Sequence, residues 1–419
     1  MKKKFISSLL ATFMIFSSTS GVYAANTNTQ PNIYGKSAIT LDMDTGEIIY
    51  AKSPDDKMYP ASTTKLITSL LLAENKNKDD DLTYTKDAKD QPEYSLNKNL
   101  HAISVGETMK ASDAMDGLLL YSGNDVAYLI GDNIGGNREG FAKLMNEKAK
   151  SLNLKNSNFV NPNGLHHKDH YTTSYDLSIL GRAAYKNPWV SETMAKKNSS
   201  VSTSKGTTFL IENRNKLVGS KGCVGGKTGY TSAAGRCLVA IFDRDGRKIL
   251  GVVLNSVYDA NDSFVFNDME KIIDWSYKAE KTILHNKDSV VGTKTVSYKP
   301  LLFMGPVKTI DIPLIVKEDV AYYNNVINKN EFKESVSLNT ENPWKLAKSD
   351  SVGKLTIKER EALKEYKVYS NISKGTIFKE NILIYLSALA IIIVLFVVII
   401  SIIGFLNKRT RRNKRKRYI

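Results

Sequence analysis

The run from Ile382 to Leu406, 25 residues without a charged side chain, constrains the rest of the chain more than any other feature. At about 1.5 Å per residue, a helix of that length crosses a hydrocarbon core of roughly 30 Å with some tilt. A buried core helix fits poorly, because the run is apolar on every side and ends the fold. Directly after it comes KRTRRNKRKR, residues 408–417, with eight basic residues. Lys and Arg beside a membrane span stay in the cytoplasm, so the tail (407–419) is expected inside and residues 25 to about 380 outside. At the other end, MKKKFISSLLATFMIFSSTSGVYA has Lys2, Lys3 and Lys4, an apolar run from Phe5 to Phe16, and small residues leading to Ala24. That pattern predicts a secretory signal peptide over residues 1–24, cleaved near Ala24 or Ala25.

The two ends also explain the charge. Removing the eight basic residues of the tail and the three N-terminal lysines from the formal +16 leaves about +5. So small and scattered an excess does not argue for nucleic acid. Anionic lipid headgroups are the expected partner of the tail. Cys223 and Cys237 sit in an exported context where a disulfide would be chemically allowed. A hairpin turning near Ser232 to Gly235 would place Cys237 opposite Tyr230, not opposite Cys223. Two unpaired, reduced or buried thiols are therefore expected.

Between the ends, residues 30–280 mix strand-like pieces (SAITLDMDTGEIIYAK, GRCLVAIFD, KILGVVLNSV) with helical ones (TKLITSLLLAE, SDAMDGLLLYSGNDVAYLIGDNI, DMEKIIDWSYKAE). The first is read as a hairpin centred on Asp44-Thr45-Gly46. It is not a calcium loop, since the later Gly and Glu ligand positions are missing. Strands at the two sequence ends with helices between them predict an α+β sheet with a helical lobe. Over residues 282–372 short β-like runs such as KTIDIPLIV take over, predicting a small β-rich domain ahead of the span at 382–406.

The chemistry is concentrated in three short segments. In YPASTTKLIT, residues 59–68, Pro60 pre-sets a helix start, so Ser62 falls in the first turn near free backbone N–H groups. Lys65 lies one turn on, on the same face and about 5–6 Å away between Cβ atoms. An amine there can accept the hydroxyl proton only if it is neutral, which requires burial or a neighbouring cation. Tyr121-Ser122-Gly123-Asn124 interrupts a helical stretch, with Gly123 read as the break that aims Ser122 and Asn124 into a cleft. Lys227-Thr228-Gly229 follows Gly225-Gly226 and is read as the start of a strand, where small residues let a substrate backbone approach closely. Ser-x-x-Lys, Ser-x-Asn and Lys-Thr-Gly in that order form nearly the motif set of penicillin-interacting serine enzymes.

On these motifs the chain resembles the low-molecular-weight penicillin-binding proteins, the serine-type D-alanyl-D-alanine carboxypeptidases. PASTTKLIT, YSGNDVA, NPNGL, SYDLSIL, ENRNKL and KTGYTSAAGRCLVA carry the likeness over roughly residues 35–280, and DSVGKL carries it loosely beyond. The resemblance implies a transpeptidase-like, penicillin-binding-protein/β-lactamase-like sheet with a helical lobe. It also implies a peptidoglycan stem peptide ending in D-Ala-D-Ala as substrate, β-lactams as covalent inhibitors, and no metal or cofactor. By the same resemblance Ser62 is the nucleophile, Lys65 its proton acceptor and Ser122 a proton relay to the leaving amine. Asn124 holds the substrate peptide, Lys227 keeps Lys65 neutral and Thr228 binds the terminal carboxylate. Gly229 leads to Tyr230, whose backbone N–H joins that of Ser62 in an oxyanion hole.

Rival readings differ in particular residues. A class A β-lactamase would show S-D-N and E-x-x-L-N; this chain has S-G-N and lacks the other. A non-enzymatic β-lactam sensor would need a cytoplasmic signalling domain, and a tail of about a dozen residues offers none. A transpeptidase would use the same residues with an amine in place of water. His166, His167 and His170 form H-H-x-x-H, but Pro162 and Gly164 precede them and no acidic ligand is placed, so they are read as a surface loop. Tyr84, Tyr94 and Trp275 are assigned to packing. One departure stands out: resembling enzymes carry an Arg after K-T-G that grips the substrate carboxylate, whereas Ile249 to Glu270 contains no Lys or Arg. That task is left to Thr228, Lys227 or Arg236.

Overall fold

The computed structural model describes residues 29–415 apart from 302–304 and 348–349. The signal-peptide expectation, residues 1–24, lies outside the described residues. The first sheet is built from β1 (Ser37–Asp42), β2 (Ile48–Lys52), β3 (Cys223–Thr231), β4 (Gly235–Arg244) and β5 (Arg247–Ser256), in the order β2-β1-β5-β4-β3. Every neighbouring pair is antiparallel, so the first hairpin of the domain is closed against its last two strands. The hairpin between β1 and β2 turns where expected, and Asp42 holds it by accepting from the Asp44 and Thr45 amides at 3.1 and 3.0 Å.

Both faces of this sheet are covered, which explains why its central strands read as unbroken apolar runs. Val239 and Ile241 of β4 and Leu250 and Val252 of β5 share one core with Leu66 and Ile67 of α1 (Lys65–Asn75) and with Leu177 and Leu180 of α3 (Ser174–Lys186). Phe242, Ile249 and Val253 face the other way, onto Met269 and Ile273 of α4 (Phe264–Lys278). Each such side chain contributes roughly 1.5–3 kcal/mol relative to leaving it in water. The helical lobe adds α2 (Asn124–Gly135), packed on α1, and the cleft runs between this lobe and edge strand β3.

A second five-stranded antiparallel sheet follows, built from β6 (Val290–Tyr298), β7 (Lys308–Val316), β8 (Lys333–Leu338), β9 (Gly353–Glu359) and β10 (Ala362–Ser370), in the order β6-β7-β10-β9-β8. It has its own core around Ile312, Leu314, Leu355 and Val368. It meets the first sheet at β2 through polar groups. Asn325 donates to the Ile48 carbonyl at 2.7 Å, and Glu47 pairs with both Lys281 and Lys364. The chain ends in α5 (Ile382–Arg415), whose apolar side chains are exposed. It is the one helix among the described residues long and apolar enough to cross a membrane.

Three local expectations need correction. Lys227-Thr228-Gly229 lies in the middle of β3, because pairing with β4 already begins at Cys223. Cys237 stands opposite Gly229, one residue from the expected register, while Cys223 pairs with Phe242. Both thiols are free and buried, and burial pushes each up to about 11. The break in Ser122-Gly123-Asn124 is made by Ser122 itself, which takes the left-handed conformation at φ 73°, ψ 33°.

Candidate active site

Ser62 stands in a tight 3-10 turn, Ala61–Thr64, that leads into α1. Pro60 supplies helical dihedrals, but Ala61 is left-handed at φ 48°. Such a residue costs on the order of 1–2 kcal/mol and survives only where its surroundings enforce it. Here the loop Asn161-Pro162-Asn163-Gly164 does so. Gly164 is itself left-handed at φ 83°, and a Cβ on it would run into the Ala61 carbonyl oxygen. The same loop accepts from α1, Thr68 Oγ1 donating to the Pro162 carbonyl at 2.7 Å and Lys65 Nζ to that of Asn163 at 2.8 Å.

Lys65 is fully buried and has three oxygen neighbours: Ser62 Oγ at 3.0 Å, Asn124 Oδ1 at 3.0 Å and the Asn163 carbonyl at 2.8 Å. Two of these can only accept, and the third is a hydroxyl that can also donate. A neutral amine has two N–H bonds and one lone pair, so its inventory matches this site with the lone pair turned to the Ser62 O–H. Burial, and secondarily the Arg214 guanidinium, lower Lys65 to about 7, against an opposing pull from Asp125. The amine is thereby placed where it can exchange a proton near neutrality.

Ser122 lines the cleft from the lobe side. Asn124 also lines it, yet both ends of its amide are engaged, Oδ1 by Lys65 and Nδ2 by the Glu93 carbonyl at 2.8 Å. Its side chain thus contacts the amine from the cleft wall where the resemblance places the substrate peptide. Asp125 behind it is buried and accepts from the amides of Leu96, Asn97 and Val126 and from Tyr84 Oη. Those bonds fix the segment from which Tyr94 reaches the cleft.

The opposite wall is β3. An ideal Cβ on Gly229 would lie 3.0 Å from both the Pro60 carbonyl and the Ser62 amide, so glycine lets the strand approach the nucleophile turn more tightly than a side chain would ordinarily allow. Lys227 is buried, donates to the Thr228 carbonyl at 3.1 Å, and is pushed well below its ordinary range by burial, then by Lys65, Arg214 and Arg236. The cation that acts most on Lys65, however, is Arg214, which the sequence reading left without a role. Arg214 lies between the rings of Tyr94 and Tyr121, 4.8 and 4.7 Å from their centroids. Its only signal in the sequence was the segment ENRNKL.

These groups surround a cleft of about 420 Å³ whose walls include Ser62, Ser122, Asn124, Thr228, Gly229 and Tyr230. All eight residues singled out in the sequence converge here, Lys65 and Lys227 from beneath. The histidines separate. His170 is buried, its Nδ1 accepting from the Val160 amide at 3.2 Å, which leaves Nε2–H to donate to Thr64 Oγ1 at 2.9 Å. Burial, helped by His167 and His166, lowers it to about 3, so it braces the turn as a neutral ring and is no surface-loop residue. Tyr84 is buried, and Trp275 packs edge-on to Tyr50.

Comparison with known proteins agrees with this geometry. Residues 24–257 match the D-alanyl-D-alanine carboxypeptidase family. The chain is 26% identical over 364 residues to D-alanyl-D-alanine carboxypeptidase DacF of Bacillus subtilis, covering 85% of this chain and 90% of that protein. It is 30% identical over 315 residues to DacD of Escherichia coli, covering 71% and 78%. Among solved structures it is similar to a D-alanyl-D-alanine carboxypeptidase from Mycobacterium tuberculosis (25% identity, TM-score 0.56, 61% of this chain and 96% of that one). It is also similar to ampicillin-bound penicillin-binding protein D2 from Listeria monocytogenes (29%, TM-score 0.52, 59% and 100%). With a serine–lysine pair at the centre of its cleft and more than half its length matched, the chain belongs to the D-alanyl-D-alanine carboxypeptidase family.

Proposed function

We propose that this protein is a serine-type carboxypeptidase that removes the terminal D-Ala from peptidoglycan stem peptides through an acyl-enzyme, and that β-lactams acylate the same serine. The observation that carries the reading is Lys65 Nζ, buried, lowered to about 7 and 3.0 Å from Ser62 Oγ. In this reading Ser62 attacks the penultimate D-Ala carbonyl while Lys65 takes its proton. The Ser62 and Tyr230 amides hold the tetrahedral oxyanion. Ser122 passes a proton to the departing D-Ala amine, and water then releases the acyl group. Asn124 keeps Lys65 aimed, Thr228 meets the carboxylate end of the substrate, and Lys227 and Arg214 supply positive field.

The reading extends to the ends of the chain. Residues 1–24 export the protein, 30–280 form the catalytic domain and 282–372 a β-rich domain. Helix 382–406 then spans the membrane with the basic tail inside, against anionic lipid. The central experiment is to incubate the protein with a pentapeptide ending in D-Ala-D-Ala and measure free D-Ala. Release is expected, together with attachment of labelled penicillin at Ser62, and both should vanish in Ser62→Ala. Recovery of the label on Ser122 would overturn the assignment. Protease on intact cells should spare the basic tail; an accessible tail epitope would reverse the topology.

A further inference from the structure

The cleft wall beyond Tyr230 carries an ion pair that the reaction above does not use. Arg236 of β4 stands opposite Tyr230 across the strand pair, and its guanidinium is bound by Asp262 from the loop between β5 and α4. Both residues line the cleft with Ser62, Thr228 and Tyr230. Tyr230 and Tyr258 stack at 4.5 Å, and the guanidinium carbon lies 5.8 Å from each ring. The Arg236 side chain is only 12% exposed, so this cation is set into the wall.

The pair is incomplete in a way that points to a ligand. Asp262 binds through Oδ2 to Nη2, leaving Arg236 Nε and Asp262 Oδ1 both buried and without a hydrogen-bond partner. Nε and Nη2 together form one edge of the guanidinium fork, the edge a carboxylate grips with two parallel bonds. Asp262 takes half of that edge. Its loop is braced to keep it there. Asp262 is left-handed at φ 50°, its amide donates to the Asp259 carbonyl at 2.9 Å, and Lys216 Nζ donates to the Asn261 carbonyl at 3.0 Å. The other cleft cations are otherwise occupied, Lys227 beneath the Thr228 carbonyl and Arg214 between two tyrosine rings on the lobe side.

We propose that Arg236 recognises the terminal carboxylate of the substrate and that Asp262 is a built-in competitor, a carboxylate that the incoming one must displace to gain the full fork. This rests on the reading of the cleft as a D-Ala-D-Ala site and adds what sets its selectivity. An enzyme so arranged discriminates weakly between a peptide with a free terminal carboxylate and its C-terminal amide. Removing the internal carboxylate strengthens that preference.

The test measures kcat/KM on the full-length protein for one D-Ala-D-Ala pentapeptide as acid and as amide, in wild type, Asp262→Asn, Asp262→Ala, Arg236→Ala and the Arg236→Ala/Asp262→Asn double variant. Asp262→Asn is expected to raise the acid-to-amide ratio about tenfold, mainly through KM, and Arg236→Ala to lower it by a similar factor, the scale of one charge-assisted contact. In the Arg236→Ala background the second change should no longer alter the ratio. Thermal melting reports whether each variant keeps its fold, independently of carboxylate binding, and Asp262→Ala replaces Asp262→Asn if the latter does not. A ratio unchanged or lowered by loss of the Asp262 charge, or unmoved by Arg236→Ala, overturns the proposal while leaving the carboxypeptidase reading intact. Release of neither D-Ala from the acid nor D-alaninamide from the amide by a wild type that still binds penicillin overturns both.

Discussion

Lysines gather at two regions of this molecule with opposite outcomes, around a buried carboxylate in one and themselves buried in the other. Where the second sheet docks, Lys281 and Lys364 both reach the buried carboxylate of Glu47, and Asn325 and Asn328 complete the contact through the Ile48 carbonyl. In the cleft, Lys65 and Lys227 are buried, and no acid among the described residues lies at bonding distance from either. The acid that acts on Lys65, Asp125, is already taken up by three backbone amides and a tyrosine hydroxyl. Buried charge with a counter-charge makes a joint; a buried amine without one, as at Lys65, sheds its proton near neutrality. Sequence alone cannot tell these lysines apart, since the difference lies in where neighbouring carboxylates spend their lone pairs.

The sharpest way to break this comparison is Lys65→Arg. A guanidinium cannot give up its proton, so acylation of Ser62 by penicillin should slow by roughly 10²–10⁴-fold in a protein that still folds. A rate within a few fold of wild type would mean the amine is not the base. Next comes pH. The active form is the neutral amine, so kcat/KM should rise with pH up to about 7 and then level off. Replacing Arg214 by Gln removes a cation that lowers Lys65 and should move this limb upward by roughly 0.5–1 pH unit. A limb that does not move would assign the lowering to burial alone.

The smallest effect belongs to the joint. Glu359 lies beside Lys364 and Glu47, and burial raises it to about 7, against its ordinary 4.5. The folded state therefore holds this proton after the unfolded state has released it, and stability falls as pH rises from about 4.5 to 7. Glu359→Gln should carry no such penalty, gaining about 1–3 kcal/mol over wild type at pH 8 and little at pH 4. Thermal melting at the two pH values checks it, and an equal gap at both would remove Glu359 from the account.

Much of the cleft was legible because its chemistry depends on residue types at fixed spacing. Ser62 and Lys65 are one turn apart in any helix, and the hairpin at Asp44-Thr45-Gly46 follows from local turn chemistry. What escaped depended on convergence across the fold. Arg214 acts on Lys65 from some 150 residues away in sequence, and the bracing of Thr64 by His170 needs the 161–164 loop folded back on α1. The one-residue error at Cys237 came from the turn itself: it spans only residues 232–234, with Gly235 already paired to Thr231, whereas the expected turn also contained Gly235. The left-handed Ser122 had no signal at all, since the adjacent Gly123 was the natural residue to suspect.

The turn that carries Ser62 is clasped between two glycines, Gly164 from the lobe, where a methyl group would collide with the Ala61 carbonyl, and Gly229 from the sheet, where it would be crowded against Pro60 and Ser62. It works like a keystone between two abutments. A keystone bears load only while both sides press on it, so the lobe and the sheet cannot part or slide at this point without releasing the nucleophile. Room for a larger substrate then lies at the rim of the cleft, around Tyr94, Tyr258 and Asp262, and not beneath the nucleophile.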